Sequence, residues 1–94
     1  MSTEVIHNRD ANRYEIWLDG EKVGHADYSR MLNEMRFVHT EVDPAQQGKG
    51  LAADLMAGVV EDVRKNETAR VVPVCSYVVM YFKRHPEHAD LLER

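Results

Sequence analysis

The segment that most constrains this chain is a Gln47-Gly48-Lys49-Gly50 turn opening directly onto a strictly periodic apolar helix. Leu51, Leu55, Val59 and Val63 recur every four positions, with Ala52, Met56 and Val60 beside them, so one continuous apolar stripe demands a core to receive it. The spacing predicts a helix over residues 48–65. Arg64 and Lys65 suit its negative end, and Asn66 can take the left-handed conformation that closes a helix. Gly48 and Gly50 would let backbone amides approach a ligand, and a helix N-terminus adds unpaired N–H groups and the positive end of the macrodipole. Phosphate or pyrophosphate is the natural ligand for such a turn. The spacing fits neither the P-loop nor the Gly-x-Gly-x-x-Gly dinucleotide fingerprint.

Upstream the apolar period shortens to two. Residues 5–8 make a short strand, and Tyr14, Ile16 and Leu18 alternate with Glu15 and Trp17 in a second. Asp19-Gly20 signals a tight hairpin turn into a returning strand at residues 22–28, and residues 31–33 make the next connection. Residues 35–42 form a fourth strand, whose alternation assigns His39 and Glu41 to the face of Met35 and Phe37. After the helix, residues 69–72 are a short apolar run, best placed parallel to the fourth strand through a right-handed crossover and ended by Pro73. Residues 76–83 form a second helix, limited by Pro86. The expected order is β-β-β-β-α-β-α: an α/β (α+β) domain over residues 1–94, with a mixed, mostly antiparallel five-stranded sheet and two helices.

Composition narrows the function. Apolar residues make up 44% of the chain and charged ones 30%, as in ordinary globular domains. No apolar run approaches the roughly 20 residues that span a bilayer. The start, Met1-Ser2-Thr3-Glu4, lacks the basic and apolar regions of a signal peptide, and the single Cys75 cannot close an internal disulfide. A cytoplasmic, reducing setting and a monomer are therefore expected. A net charge of −4 argues against general nucleic-acid binding and tolerates a cationic acceptor such as an amine, a lysine side chain or a polyamine.

Gln47, Gly50 and Ala52 fit the pattern Gln/Arg-x-x-Gly-x-Gly/Ala. His39-Thr40-Glu41-Val42-Asp43-Pro44 precedes it, and Pro73-Val74-Cys75-Ser76-Tyr77-Val78 and Phe82-Lys83-Arg84-His85-Pro86 follow in order. With these segments the chain resembles the small stand-alone members of the GCN5-related N-acetyltransferases from His39 to the C-terminus, with a weaker match before it. The resemblance implies acetyl-CoA as cosubstrate and N-acetylation of a small amine or an exposed protein lysine; the alternative is a non-catalytic acyl-CoA-binding module. In that family the fourth and fifth strands splay. Carried over, backbone groups of Thr40, Glu41 and Val42 would pair with pantetheine. The amides of Gly48, Lys49, Gly50, Leu51 and Ala52, with Gln47, would hold the pyrophosphate. The Lys49 side chain is dispensable in this reading, and Lys83 and Arg84 are assigned to the 3′-phosphate. Larger members carry a helical segment between the first two strands, for which there is no room here, so the acceptor side is expected to be open and specificity loose.

Cys75 sits between a strand end and a helix start, where a thiolate is stabilised, although a lone cysteine more often packs as a small hydrophobe. The resemblance tips the balance, because the subfamily's cysteine at this position lies close to the acyl group. His39 is the candidate base, with packing an equal alternative, and Glu41 is a further carboxylate option. Tyr77 or Tyr81 could protonate the leaving thiolate, though packing suits both. Direct attack by the amine and an acetyl-cysteine intermediate both remain open. His7, His25, His85 and His88 are scattered in sequence, and His85-Pro86-Glu87-His88 lacks the partners of a metal site, so no metal is expected.

Overall fold

The computed structural model describes residues 2–94. Four strands, β1 (Thr3–Asn8), β2 (Arg13–Leu18), β3 (Glu21–Met31) and β4 (Glu34–Val42), form an antiparallel meander. Helix α1 (Leu51–Asn66) crosses to β5 (Arg70–Pro73), which pairs parallel to β4, and α2 (Ser76–Arg84) follows. The expected class and element order therefore hold. The hairpin between β2 and β3 turns on Asp19 and Gly20 at φ 49° and 87°, the doubly left-handed turn that matches the twist of two strands.

Helix α1 departs from the sequence reading at both ends. Helix α1 begins at Leu51 rather than residue 48, because Gly48 and Gly50 both adopt positive φ. Asn66 does not close it in a left-handed turn. It stays helical, its side chain donating to Asp62 Oδ1 at 2.7 Å, and the chain leaves in extended conformation at Glu67. Beyond α2, Pro86–Leu92 winds into a 3-10 helix that fully buries Leu91, an element the apolar pattern did not reveal.

Both helices pack on one face of the sheet. Tyr14, Ile16, Ala26, Tyr28, Met35 and Phe37 meet Leu51, Leu55, Met56, Val59, Val60 and Val63 of α1 and Val78, Tyr81 and Phe82 of α2. At the far end of α1, His7 stacks on Tyr14 at 4.1 Å, approaches Asp62 through Nδ1 at 3.1 Å and shares a 2.6 Å hydrogen bond with the Tyr28 hydroxyl. The Tyr14 hydroxyl donates to Asp62 at 2.6 Å, and burial together with that carboxylate pushes its pKa far up, so it remains a donor. No described helix is long and apolar enough to cross a membrane.

The opposite face of the sheet carries no helix, because β1 and β2 are joined only by a 3-10 turn (Arg9–Ala11) and Asn12. Arg13, Glu15, His25, Asp27, Arg36, His39 and Glu41 share this bare face. Glu15 is nevertheless buried, accepting hydrogen bonds from Asn8 and Trp17.

The approach of α1 to β1 depends on Gly58. A Cβ there would lie 2.6 Å from Cβ of Val5, too close to the backbone of β1 for a rotamer change to relieve. Gly58→Ala gains about 0.8–1 kcal/mol of helix propensity but incurs overpacking of about 1–3 kcal/mol. We expect net destabilisation in urea, and a smaller cost of Gly58→Ala when it is made in a Val5→Gly background, which removes the opposing Cβ. Additive effects of the two substitutions would contradict this contact.

Candidate active site

The site begins where the β4–β5 ladder ends. Pairing runs from Glu34 opposite Arg70 to Phe37 opposite Pro73, after which Pro73 removes a donor and the chain turns away. Both Val74 N–H and Cys75 N–H donate to the Phe37 carbonyl, at 3.0 and 2.9 Å, closing the fork. Strand β4 continues to Val42, so Thr40, Glu41 and Val42 border the gap left where β5 ends.

The Gly-Lys-Gly turn lies at the mouth of this gap. Gly48 at φ 87° and Gly50 at φ 75° occupy backbone conformations that L side chains rarely adopt, and a Cβ at either would meet no atom within 4 Å. Conformation, rather than crowding, therefore dictates glycine. Asp54 N–H donates to the Gly50 carbonyl, so the amides of Leu51, Ala52 and Ala53 lack intrahelical partners, and no side chain caps them. Gln47 Nε2 donates to the Val42 carbonyl at 3.2 Å, tying the turn to the end of β4. Lys49 Nζ donates to Gln46 Oε1 at 2.8 Å, within its own loop. A cavity of about 180 Å³ opens here, lined by Val42, Gln47, Gly48, Gly50, Leu51 and Tyr77. Its open glycine backbone and uncapped amides fit a diphosphate.

Cys75 is the N-cap residue of α2, partly buried against the core. Burial alone pushes its thiol up, but the facing amides of Val78 and Tyr77 and the nearby Thr40 outweigh it and hold the pKa below the ordinary thiol value. The Thr40 Oγ1 is buried and makes no well-formed hydrogen bond, yet it stands close enough to the sulfur to favour its anion. Thr40 thus reaches the sulfur through its side chain and its backbone alike. Burial raises the pKa of the Tyr77 hydroxyl, partly offset by Arg84, which puts Arg84 within electrostatic reach of the cavity wall. Tyr77 and Arg84 stand two turns apart on α2, whereas Lys83 lies about 100° around the helix from Arg84. Tyr81 is buried and packs on the His85 ring at 4.2 Å.

His39 does not share the face of Met35 and Phe37. Asp27 pairs with His39 but Tyr28 with Phe37, leaving Val38 as an extra bulged residue. One inserted residue reverses the alternation: Thr40 and Val42 turn toward the helices, and His39 and Glu41 turn to the bare face. His39 is half exposed, with its Nε2 3.7 Å from Glu41 Oε1. His39 and Cys75 therefore address the gap from opposite sides of the sheet and form no Cys–His dyad. His25, whose burial depresses its pKa, lies opposite Glu41 and 5.9 Å from the His39 ring. No spacing in the sequence announces that neighbourhood, because it arises from the β3–β4 register.

Residues 13–91 match the family model described as GCN5-related N-acetyl-transferase. No curated protein sequence matches the chain. Among solved structures, the fold is similar to the ribosomal-protein-S18-alanine N-acetyltransferase from Escherichia coli, with TM-score 0.63 and 17% identity over 78% of this chain and 50% of that one. It is also similar to the ribosomal-protein-alanine N-acetyltransferase from Brucella melitensis biovar Abortus 2308, with TM-score 0.60 and 14% identity over 89% of each chain. The chain thus spans half the length of the first of these, and at such identities the likeness is one of fold.

Proposed function

The chain belongs to the GCN5-related N-acetyltransferase family, and on that premise we propose that it binds acetyl-CoA and transfers the acetyl group to a small amine or an exposed protein lysine. The observation that carries this reading is the pairing of a splayed β4–β5 fork with an uncapped, doubly glycine-shaped helix start at its mouth. The amides of Gly48 to Ala52 hold the pyrophosphate, with Gln47 fixing the turn, and the free edge at Thr40, Glu41 and Val42 aligns pantetheine. Acetyl-CoA supplies an activated acyl group as a thioester, from which the acceptor nitrogen displaces the CoA sulfur. His39 takes the proton lost by that nitrogen, on the bare face from which an acceptor can approach. Cys75 sits across the sheet, beside the acyl end. The bare face leaves the acceptor side open and fits loose specificity.

The test is acceptor-dependent release of free CoA from acetyl-CoA, across polyamines, lysine peptides and peptides with an N-terminal alanine. Release with at least one acceptor is expected. Tight CoA binding without release for any acceptor would instead favour the acyl-CoA-binding module.

Arg84 supplies a narrower prediction, with Lys83 as its neighbour on the same helix. One charge-assisted contact to the 3′-phosphate is worth about 1.5–3 kcal/mol. Arg84→Ala should therefore weaken CoA binding by roughly tenfold or more, yet leave dephospho-CoA unaffected. Equal affinity of the parent for both ligands would remove this assignment.

A further inference from the structure

Two groups of described residues bring three metal-ligating atoms within 4.8 Å of one another: His7 with Asp62 and Glu67, and His25 with His39 and Glu41. The first is already satisfied. His7 uses Nδ1 toward Asp62 and Nε2 toward Tyr28, while Glu67 faces Arg9 and Arg30. The second is not. His25 and Glu41 are directly opposite across β3 and β4, as are Asp27 and His39, and all four side chains share the bare face. His39 Nε2 stands 3.7 Å from Glu41 Oε1, and His25 Nε2 stands 3.6 Å from Asp27 Oδ2, so the imidazoles converge without being consumed by hydrogen bonds.

We propose that His25, His39 and Glu41 form a binding site for a divalent transition-metal ion, with Zn²⁺ as the fitting occupant, on the helix-free face of the sheet. Two imidazoles and one carboxylate are an ordinary zinc donor set, with solvent as fourth ligand. At bond lengths of about 2.0–2.2 Å, tetrahedral donors stand roughly 3.3–3.5 Å apart. The present spacing therefore needs only rotamer adjustment. His39 and Glu41 are the exposed arms free to make it, and the side chain of His25 is the partly buried anchor. Asp27 serves a different part. Its Oδ1 accepts from Arg13 Nε at 3.0 Å, which fixes the carboxylate while Oδ2 faces the His25 ring, the placement that orients a ligating imidazole. Arg13 and Lys22 are the nearby charges that oppose a cation; Arg13 is paired with Asp27, and Glu41 and Asp43, which line the same depression as Lys22, outnumber the remaining lysine.

The Val38 bulge makes the site possible, since without it His39 and Glu41 would face the helices and His25 would stand alone. The inference is independent of the role of His39 as base, because binding is read without turnover. If both hold, zinc ties up the base and inhibits acetyl transfer.

Calorimetric titration of the whole chain with Zn²⁺ should give one site of micromolar affinity. His39→Asn and Glu41→Gln, both at exposed positions, should each weaken it at least tenfold with unchanged circular dichroism, and His25→Asn should do the same. The double variant His85→Asn/His88→Asn, which removes the other pair of adjacent imidazoles, should bind like the parent. In NMR spectra the ring resonances of His25 and His39 should move on Zn²⁺ addition while those of His7 stay. The site is overturned by the absence of Zn²⁺ binding in the parent. Unchanged affinity in both His39→Asn and Glu41→Gln, or loss confined to the His85/His88 variant, would overturn it equally.

Discussion

Replacing Gly50 with valine is expected to lower CoA affinity by about two orders of magnitude while the chain still folds. Gly50 sits at φ 75°, and a left-handed residue with a Cβ costs about 1–2 kcal/mol, more for a β-branched side chain. Open space around the site means that this cost is conformational, so the turn will relax toward negative φ and carry the amides of Leu51 and Ala52 away from their common target. The core side of α1 begins at Leu51 and is anchored through Val63, which keeps the loss of stability small beside the loss of binding. Asparagine tolerates the left-handed region better than other residues, so Gly50→Asn should retain much of the affinity. Calorimetry with CoA decides the matter: parent-like binding by Gly50→Val would show that the pyrophosphate lies elsewhere.

The second large effect separates His39 from Cys75. His39→Gln keeps a hydrogen-bonding side chain at a half-exposed position and removes only the ability to take a proton. Turnover should fall roughly 10²-fold, the scale of a positioned general base. It should partly recover at high pH, where the acceptor amine arrives already deprotonated. Cys75→Ser separates the two routes because serine lacks a thiolate. With His39 and Cys75 on opposite sides of β4, His39 can serve the incoming amine but cannot pass a proton between amine and sulfur, so we expect attack by the amine itself and a Cys75→Ser variant that keeps most of its activity. An added acetyl mass on Cys75 after brief exposure to acetyl-CoA without amine, with loss of turnover in the serine variant, would reverse that order of events. A pH–rate profile unchanged in His39→Gln would exclude His39 as the base.

Much of this architecture could be read from periodicity and turn chemistry. The four-residue spacing from Leu51 to Val63 located α1, Asp19-Gly20 located the first hairpin, and Pro73 located the end of β5. The glycine turn was legible because positive φ at Gly48 and Gly50 restricts the residue type. What escaped was register. A strand carries no mark in its own sequence for the partner residue it skips, so the Val38 bulge, and with it the face of His39 and Glu41, depended on the pairing with β3. The pairing of His25 with Glu41 was hidden for the same reason. Asn66 misled because its side chain found Asp62 one turn back, which removed the need for a left-handed cap. The 3-10 helix at Pro86–Leu92 was invisible to a search for four-residue periods.

The strand order has a kinetic corollary. Each strand lies beside its neighbour in sequence, so β1 to β4 assemble through short loops with little closure entropy. Only β5 must wait for a helix-length excursion, and its ladder with β4 is four residue pairs long against eight between β3 and β4. The last junction to zip is thus also the first to fray, and amide hydrogens there should exchange with solvent ahead of those in the meander. A ligand lodged in that fork would slow the exchange in proportion to its affinity, so occupancy of the cleft could be followed by protection of β5 even with no acceptor identified.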